Sequence, residues 1–520
     1  MAIKSISDLA RVHGVERRDK VALRAGDRTF TYGELNERTS RVANALRAEG
    51  VEEQDRVAFL DKNGPEYFDV LVGGAKANAV DVAVNWRLAP PEVAYIVNDS
   101  QSKVLIVGEE FVPVLDAIEG DLTTVKKIIV VGSHPRHESF EDWIGRHDAA
   151  DPGLQAGPDD VALQFYSSGT TGLPKGVMLT NPNLFTAMDA LSAQLEFTPD
   201  SVNLVAMPLF HIGGGGWACV GLTAGCEDVI VREVDPVAIA KTIAERQVTH
   251  AFLVPAVLQF MCMMPDAANA DFSTLEMIAY GASPISTQVL KDSLRVFGCG
   301  FTQLYGLTET TGAVTGLFPD EHDPDGPTSH RLRSAGKPLS GVELRIVDSS
   351  TGADCDTNEV GEIWIRTVQN MKGYWNLPDE TAKTILDDGW LRSGDAGFLD
   401  EEGYLYIHDR VKDMIVSGGE NIYPAEIENV LMSHSAVADA AVIGVPSDRW
   451  GETPKALIVK AADADPTEQE LIDYCRERLA KFKCPTSVEW IDALPRNPSG
   501  KILKKDLRAP YWEGRSRLVN

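Results

Sequence analysis

The stretch Tyr166-Ser-Ser-Gly-Thr-Thr-Gly-Leu-Pro-Lys-Gly176 is the most informative segment of this sequence. It follows Val161-Ala-Leu-Gln-Phe165, an apolar run that predicts a buried strand. Glycines allow a loop to turn its backbone N–H groups toward one point, hydroxyl groups add donors, and Lys175 adds a positive charge. The segment therefore predicts a loop that wraps a polyphosphate. A flexible surface turn is the alternative, but linkers rarely follow a buried strand or carry a lysine after a proline.

The position of the lysine distinguishes this loop from a Walker phosphate loop. A Walker loop requires Gly-Lys followed directly by Ser or Thr. Lys175 is instead preceded by Pro174 and followed by Gly176. The predicted phosphate site therefore belongs to a different class of loop.

Length and composition indicate a globular protein of at least two domains. The 520 residues exceed what one hydrophobic core normally organises. The contents of 44% hydrophobic and 24% charged residues are typical of globular proteins. No apolar run approaches the roughly 20 residues of a membrane helix, and the opening residues lack the apolar core of a signal peptide. We therefore expect a cytoplasmic protein without an integral membrane segment.

The net charge and the cysteines exclude several classes of function. A net charge of −28 argues against binding to nucleic acid or to anionic membranes, since long-range repulsion opposes both. An anionic substrate must therefore meet a local positive site. The seven cysteines are scattered and form no Cys-x-x-Cys pair, so we expect reduced thiols and no structural zinc.

The hydrophobic patterns predict an α/β fold with two domains. Continuous apolar runs such as Val104-Leu-Ile-Val107 alternate with helical patterns, which indicates a largely parallel sheet covered on both faces. From about residue 340, runs such as Gly361-Glu-Ile-Trp-Ile-Arg366 alternate in polarity, as half-exposed antiparallel strands do. A compact α/β pattern resumes after Arg410. We therefore expect a large N-terminal domain over residues 1–409 and a small C-terminal α+β domain over residues 410–520.

Two further segments carry side chains suited to a nucleotide. In Gln303-Leu-Tyr-Gly-Leu-Thr-Glu-Thr-Thr311, a tyrosine can stack on a base, Thr308 can donate to a phosphate and Glu309 can bind Mg²⁺ through oxygen. A tight turn with a buried tyrosine is the alternative. Tyr280-Gly-Ala-Ser-Pro284 superficially fits a hydrolase nucleophile elbow, but the glycine required two residues beyond Ser283 is replaced by Ile285.

Two more segments contribute single charged groups. Trp390-Leu-Arg-Ser-Gly-Asp395 supplies a carboxylate suited to a ribose diol, and Arg410 supplies a cation for the same sugar. Taken alone, Asp395 fits a turn residue better. Pro495-Arg-Asn-Pro-Ser-Gly-Lys501 places a lysine in a loop near the C-terminus, where a solvated charge is the ordinary interpretation.

As an ordered set, these segments resemble the signatures of the adenylate-forming superfamily of acyl-CoA synthetases, luciferases and peptide-synthetase adenylation domains. The resemblance extends from about residue 30 to residue 503, and the set is far more specific than any single segment. It implies a site for ATP and AMP formed by Ser167, Ser168, Gly169, Thr170, Thr171, Gly172, Lys175, Gly281, Ala282, Ser283, Tyr305, Gly306, Thr308, Asp395, Arg410 and Lys501.

The resemblance also implies roles in a two-step reaction. Lys501, Thr308, Glu309 and His211 would be the catalytic residues; Glu309 would hold Mg²⁺, and Thr170 would contribute through the phosphate. Lys501 resembles the mobile lysine that stabilises negative charge on the α-phosphate in the transition state. Lys412 matches a hinge about which the small domain rotates before the second step.

The thiol and acid sites are also implied by the resemblance. Ser417, Gly418, Gly419 and Trp450 would line the entry of coenzyme A. Cys484 and Thr486 occupy positions where some CoA ligases carry basic residues that meet the CoA 3′-phosphate, which leaves Lys481, Lys483 and Arg449 as substitutes. The acyl pocket would be formed by His211, Gly213, Gly214, Gly215, Gly216 and Trp217.

The glycine run in this last set has two interpretations. Four missing side chains in succession are consistent with a tunnel for an acyl chain. Gly213-x-Gly215-x-x-Ala218 also matches a dinucleotide fingerprint, but Pro208 and His211 interrupt the strand that should precede it.

We therefore expect an AMP-forming acyl-CoA synthetase that uses ATP, Mg²⁺ and coenzyme A, and whose partner is a small carboxylic acid. Medium- to long-chain fatty acids are the first expectation for the acid, and aryl or phenylpropenoic acids are the second. A stand-alone adenylation enzyme that loads a carrier protein, a luciferase-like oxygenase and a non-catalytic nucleotide-binding protein are the alternatives. The sequence leaves open whether the protein forms a homodimer.

Overall fold

The computed structural model describes residues 3–167, 173–283, 285–348, 351–410, 413–417, 420–447, 449–462, 464–496 and 502–513. For residues 409, 410, 420 and 421 it describes the backbone alone. Within this described part, no helix combines the length and the apolar character that crossing a membrane requires.

Strands are numbered in chain order. They are β1 Val21–Ala25, β2 Arg28–Thr31, β3 Arg56–Leu60, β4 Val80–Ala83, β5 Val104–Gly108, β6 Lys127–Val131, β7 Glu138–Ser139, β8 Val161–Ser167, β9 Lys175–Thr180, β10 Val202–Val205, β11 Glu227–Ile230, β12 His250–Leu253, β13 Met277–Gly281, β14 Gly300–Leu307, β15 Gly312–Leu317, β16 Lys337–Pro338, β17 Glu343–Val347, β18 Gly361–Arg366, β19 Gly373–Tyr374, β20 Leu391–Leu399, β21 Leu405–Arg410, β22 Ile415–Ser417, β23 Glu420–Ile422, β24 Val437–Ser447, β25 Gly451–Lys460 and β26 Ser487–Trp490.

Helices are numbered in the same way. They are α1 Ile6–Glu16, α2 Tyr32–Ala48, α3 Pro65–Lys76, α4 Pro90–Asp99, α5 Val112–Ile118, α6 Phe140–Gly145, α7 Asn181–Gln194, α8 Ile212–Ala224, α9 Pro236–Arg246, α10 Pro255–Met263, α11 Pro265–Ala268, α12 Thr287–Phe297, α13 Pro378–Thr384, α14 Pro424–Met432, α15 Glu468–Arg476 and α16 Lys504–Arg508.

Two large mixed sheets form the N-terminal part. The first has nine strands in the order β16-β15-β14-β13-β12-β10-β11-β1-β2, and its middle, from β14 to β1, is parallel. The second has eight strands in the order β19-β9-β8-β4-β3-β5-β6-β7, and it is parallel from β8 to β7. The expected largely parallel α/β arrangement is therefore present, divided between two sheets.

One hydrophobic core joins the two sheets. It includes residues of β3, β10, α3 and α8, such as Val57, Leu204, Phe68 and Trp217, all of which are buried. Strands covered on both faces need no polar alternation, which explains the continuous apolar runs in the sequence. Because α3 and α8 both contribute to this core, the sheets meet through helices.

The remaining strands form two smaller sheets. An antiparallel sheet has the order β17-β18-β20-β21. A C-terminal sheet has the order β23-β22-β25-β24, with β26 parallel to β25. The C-terminal strands have a core of their own with α14 and α15, in which Ile427 and Leu471 are buried. The expected fold class, a large α/β domain with a small antiparallel part and a smaller C-terminal α+β domain, is confirmed.

Candidate functional site

A cavity of about 730 Å³ opens where the two large sheets and the β17–β21 sheet approach each other. It is reached by residues from β8, β9, β14, α7, α8, α13 and β20. The predicted site residues in its lining are Ser167, Lys175, His211, Gly213, Gly216, Trp217, Ala282, Tyr305, Gly306, Thr308 and Glu309. Segments as distant in sequence as those of Ser167 and Glu309, which are 142 residues apart, therefore share one space.

A β-hairpin carries the glycine-rich loop. β8 and β9 pair antiparallel with Ser167 opposite Lys175, so the loop between them leaves and returns at one place. Helix α4 contacts both ends: the Tyr166 hydroxyl donates to Asp99 at 2.6 Å, and the Tyr95 hydroxyl donates to the Pro174 carbonyl at 3.2 Å. Burial and the neighbouring Asp99 raise the pKa of Tyr166, so its hydroxyl remains a donor. Helix α4 thus fixes the two ends of the predicted phosphate loop.

Glu309 lies beside this hairpin. It belongs to a single 3₁₀ turn, Thr308–Thr310, that follows β14 directly. Its Oε1 accepts hydrogen bonds from the Ser167 hydroxyl and from the Tyr374 hydroxyl, each at 3.0 Å. Its backbone carbonyl accepts from the Met371 N–H at 2.8 Å. Both the carboxylate and its backbone are therefore positioned by neighbours.

Lys175 lies next to the same tyrosine. Its Nζ is 5.1 Å from the centre of the Tyr374 ring and 2.6 Å from Glu380 Oε2. Glu380 Oε1 lies 2.8 Å from Lys383 Nζ. The hydrogen bonds from Lys175 and Lys383 lower the pKa of Glu380 to about 2, so it is a carboxylate at any physiological pH. The lysine predicted to meet phosphate is thus paired with an acidic residue.

Close backbone contacts explain two of the predicted glycines. A Cβ on Gly281 would lie 2.2 Å from the Leu304 carbonyl oxygen, and a Cβ on Gly306 would lie 1.7 Å from the Gly312 carbonyl oxygen. Only glycine fits such an approach of two strands. Ala282, which follows directly, has a φ of 65° and lines the cavity. Ala282 and Gly306 both line the cavity, so this part of its wall is formed with little side chain.

Tyr305 and Asp395 meet in the structure although 90 residues separate them. The Tyr305 hydroxyl donates to Asp395 Oδ2 at 2.9 Å. Asp395 is buried and its Cα is paired with that of Arg410 across β20 and β21. The acidic residue and the basic residue predicted to bind a ribose therefore lie opposite each other on neighbouring strands.

The glycine run lies in a helix. Gly213 to Gly216 occupy the first turns of α8, which begins after His211. His211 Nδ1 accepts a hydrogen bond from the Gly213 N–H at 3.1 Å, so the ring proton of the neutral imidazole is on Nε2. Gly213 and Gly216 line the cavity, whereas a Cβ on Gly214 would lie 2.1 Å from the Pro208 carbonyl oxygen. Gly213 and Gly216 therefore leave space in the cavity, whereas Gly214 and Gly215 permit close packing against backbone carbonyls.

The cavity becomes apolar where it passes between α7 and α8. The side chains there belong to Ala187, Met188, Leu191, Trp217, Val220 and Phe252. The Trp217 indole N–H donates to the Leu204 carbonyl at 3.1 Å, which fixes the ring. An acidic ligand with an apolar tail fits this arrangement, with its charged end toward the hairpin.

Several predicted residues are described but lie outside this lining. These are Gly214, Gly215, Gly281, Ser283 and Asp395, together with Ser417 of β22 and Trp450, which lies in the turn before β25. Ser417 pairs with Glu420 and Gly451, and Trp450 is 47% exposed beneath the Arg449 guanidinium. Ser168, Gly169, Thr170, Thr171, Gly172, Lys412, Gly418, Gly419, Lys501 and the side chain of Arg410 lie outside the described residues.

Sequence reasoning missed Tyr374, Glu380 and Lys383. Their local sequence gives no sign of a site: Pro378-Asp-Glu resembles any acidic helix start, and Glu380 with Lys383 resembles a surface pair. β19 brings them to the hairpin by pairing antiparallel with β9. A partner that is 205 residues away from Lys175 could not be found without the fold.

Comparison with known proteins matches both parts of the chain. A family model described as AMP-binding enzyme matches residues 11–375, and one described as AMP-binding enzyme C-terminal domain matches residues 426–501. A fatty acid–acyl-carrier-protein ligase of Streptomyces coeruleorubidus is 41% identical over 95% of this chain and 94% of that protein. A feruloyl-CoA synthase of an Amycolatopsis species is 39% identical over 94% of this chain and 96% of that protein.

A solved structure extends the likeness to three dimensions. The crystal structure of an anthranilate CoA ligase in complex with anthranoyl-AMP has a TM-score of 0.90 and 27% identity. The match covers 98% of this chain and 97% of that one. The two folds therefore correspond along nearly their whole lengths.

Proposed function

This chain belongs to the AMP-binding enzyme family, and from that premise we propose that it joins an apolar carboxylic acid to a thiol through an acyl-adenylate. In the first step a carboxylate oxygen attacks the α-phosphorus of ATP, and pyrophosphate leaves. In the second step a thiolate attacks the acyl carbon, and AMP leaves. The observation that carries this proposal is a shared cavity, lined by Lys175 and Glu309 and also by apolar side chains of α7 and α8.

The residues of the chain would act in the first step by position and charge. Lys175, the first residue of β9, would neutralise the outer phosphates, and the N–H groups of the neighbouring loop would bind them. The wall at Ala282 and Gly306 would receive the base, and Asp395 would receive the ribose. Lys501 is proposed as the cation that stabilises charge on the α-phosphate. The acid is already ionised at neutral pH, so no general base is required.

Glu309 fits a magnesium ion. Its carboxylate offers hard oxygen donors, which Mg²⁺ prefers, and no cluster of three or more metal-ligating side chains occurs among the described residues. A single carboxylate that shares the ion with substrate phosphates satisfies both facts. When bound, Mg²⁺ supplies positive charge that offsets the charge of the triphosphate. Ser167 and Tyr374 would orient the carboxylate toward it.

The apolar end of the cavity supports a medium- to long-chain fatty acid as substrate. Its lining between α7 and α8 consists of aliphatic and aromatic side chains, including Met188 and Val220. An aryl or phenylpropenoic acid is the second candidate, supported by the name of the feruloyl-CoA synthase relative. Both classes place an apolar group in the same space.

A panel of acids tests the reaction and its substrate together. With ATP and Mg²⁺, we expect release of pyrophosphate with octanoate, palmitate or cinnamate and little release with acetate. The measurement is coupled pyrophosphate detection, with mass spectrometry of the thioester. Absence of pyrophosphate release with every acid, or an acid-independent rate, would contradict the proposal.

Coenzyme A is the proposed thiol, and a carrier-protein thiol is the second candidate. The carrier-protein thiol has support from the carrier-protein ligase relative and from two contacts at positions where CoA ligases can bind the CoA 3′-phosphate. Lys483 is bound to Glu426 at 2.7 Å, and the Thr486 hydroxyl lies 3.2 Å from the Thr453 hydroxyl, so these side chains are engaged within the protein. Parallel assays with coenzyme A and with a phosphopantetheinylated carrier protein distinguish the two thiols by the product formed.

Gly216→Trp is expected to shift the substrate preference toward acids with shorter chains. A Cβ at this position points toward Ile212 Cδ1 at 3.0 Å, the movable end of a side chain, so the helix tolerates a side chain there. An indole would fill the space between α7 and α8. We expect kcat/KM for palmitate to fall at least about tenfold while that for hexanoate changes less than about threefold. The measurement is kcat/KM for each acid.

Gly216→Ala is the matched control for this substitution. It introduces the same backbone change without filling the cavity, so both acids should keep kcat/KM within about threefold. An equal loss for palmitate and hexanoate in Gly216→Trp would show that this part of the cavity does not hold the acyl tail.

The domain division remains part of the proposal. We propose that residues 410–520 rotate about Lys412 between the two steps, withdrawing Lys501 and presenting Ser417, Gly418, Gly419 and Trp450 to the thiol. The support is the resemblance of these segments to the family, together with the separate hydrophobic core of the C-terminal strands.

A further inference from the structure

We propose that Glu380 is a positioning residue that binds Lys175 while no phosphate is present and competes with pyrophosphate for this lysine after the first step. The inference rests on the proposed function, because it requires Lys175 to bind the triphosphate. It adds a carboxylate that promotes release of the first product.

The contacts place Glu380 inside the site. Its Oε2 is 2.6 Å from Lys175 Nζ and its Oε1 is 2.8 Å from Lys383 Nζ. All three side chains line the cavity. The Lys175 side chain is 15% exposed and that of Glu380 is 32% exposed, so the pair is accessible to an incoming anion. A phosphate that reaches Lys175 must therefore meet Glu380.

The backbone keeps Glu380 in this place. Helix α13 follows β19 closely, and the Thr381 hydroxyl accepts a hydrogen bond from the Tyr374 N–H at 2.9 Å. The same hydroxyl donates to the Leu377 carbonyl at 3.0 Å. Since β19 is itself paired with β9, the strand that carries Lys175, the lysine and the carboxylate are fixed to the same hairpin. Glu380 therefore stays near Lys175 when their contact breaks.

The balance of charge decides which anion binds the lysine. A triphosphate with Mg²⁺ binds through several groups at once, so it can displace a single carboxylate. After the first step pyrophosphate retains fewer contacts with the protein, and a carboxylate tethered beside Lys175 competes at a high effective concentration. Lys383 remains in contact range of Glu380 during this exchange, which limits the cost of breaking the Lys175 pair.

Glu380→Gln is the test. The substitution keeps the shape of the side chain and removes its charge. We expect the dissociation constants of Mg²⁺-pyrophosphate and of Mg²⁺-ATP to fall by about three- to fivefold, the size expected for a partly exposed ion pair. Because pyrophosphate leaves more slowly, kcat should fall while KM for ATP also falls. Isothermal titration with pyrophosphate and product-inhibition kinetics measure both effects.

Two variants separate this role from a structural one. Asp379→Asn removes the same charge from the neighbouring, exposed position of α13 and should leave both dissociation constants unchanged. Glu380→Asp retains the charge and should restore weak pyrophosphate binding. Unchanged or weaker pyrophosphate binding in Glu380→Gln would overturn the inference. Failure of the unaltered protein to bind ATP or pyrophosphate would instead overturn the proposed function.

Discussion

Glu309→Gln should lower the rate of acyl-adenylate formation by about 10²- to 10³-fold, the cost of removing one preorganised electrostatic group from an active site. The amide oxygen can still accept the hydrogen bonds that Ser167 and Tyr374 donate to Oε1, so the local geometry is retained. The negative charge that would bind Mg²⁺ is lost. A single-turnover assay of pyrophosphate release with a saturating acid measures the rate.

Glu362→Gln is the matched control for this loss. Glu362 is a second carboxylate in the lining of the same cavity, but its Oε2 accepts from the Trp364 indole N–H at 2.9 Å and lies 3.2 Å from the Arg392 Nε. It therefore has an internal partner, and its replacement should cost less than about tenfold. Thioester formation from a supplied acyl-adenylate should survive in Glu309→Gln. An adenylation rate within about fivefold of the unaltered enzyme would contradict the assignment of Glu309.

Much of the fold follows from the apolar runs. The predicted strands Val104-Leu-Ile-Val107 and Gly361-Glu-Ile-Trp-Ile-Arg366 coincide with β5 and β18. The predicted single parallel sheet is divided into two, because periodicity identifies strands without saying which of them pair. β9 was not predicted, since Lys175-Gly-Val-Met-Leu-Thr180 follows a loop and lacks a clear alternation. Strand pairing depends on distant residues that local patterns do not contain.

The predicted site is brought together in part. The segments around Tyr166, Tyr280 and Tyr305 meet at one cavity, as expected of loops that follow parallel strands. The contact between Tyr305 and Asp395 joins a β-sheet to the following antiparallel layer, and only the fold reveals it. Glu380 illustrates the limit: an acidic residue at a helix start is ordinary until β19 places it beside Lys175.

The glycine run shows how one pattern can serve two purposes. Removal of four consecutive side chains suggested a tunnel, and the structure shows a helix whose opposite faces use the glycines differently. Gly214 packs against the Pro208 carbonyl, and Gly216 faces the cavity. Glycine lowers helix propensity, so α8 must be stabilised by burial, which its position between the two large sheets provides.

Asp81 of β4 is buried, and among the described residues its carboxyl group has no hydrogen-bond partner. Burial raises the pKa of Asp81 to about 8. The Tyr67 hydroxyl is also buried and lacks a hydrogen-bond partner within the described ranges. Burial and the neighbouring Asp81 raise the pKa of Tyr67. The folded protein thus favours the neutral acid at this position.

The sign of the resulting pH dependence follows from linkage. The pKa in the folded state lies above the unfolded value of about 3.9, so the folded state binds the proton more tightly. The stability contributed by the neutral acid is fully present below about pH 4 and is lost as pH rises toward 8. Each pH unit within that window removes up to about 1.4 kcal/mol from the free energy of unfolding.

Asp81→Asn should remove this loss. Any cost of burying the amide is the same at every pH, so the test is the change in the difference between the two proteins. Between pH 5 and pH 8 that difference should shift in favour of the variant by about 3–4 kcal/mol, because each of the three pH units removes up to about 1.4 kcal/mol from the unaltered protein. Urea denaturation at pH 5, 6, 7 and 8 measures the difference. Other buried acids, such as Asp228, affect both proteins alike and cancel in the comparison.

Asp27→Asn is the control for this last effect, because it removes the same charge at an exposed position between β1 and β2. Its difference from the unaltered protein should stay constant across the same pH range. If the free energies of unfolding of Asp81→Asn and of the unaltered protein ran parallel from pH 5 to pH 8, Asp81 would be ionised in the folded state and would have a partner. A difference that widens as pH rises would identify Asp81 as the group that takes up a proton on folding. Asp81 would then affect stability as a buried acid of the core, separate from the groups of the candidate site.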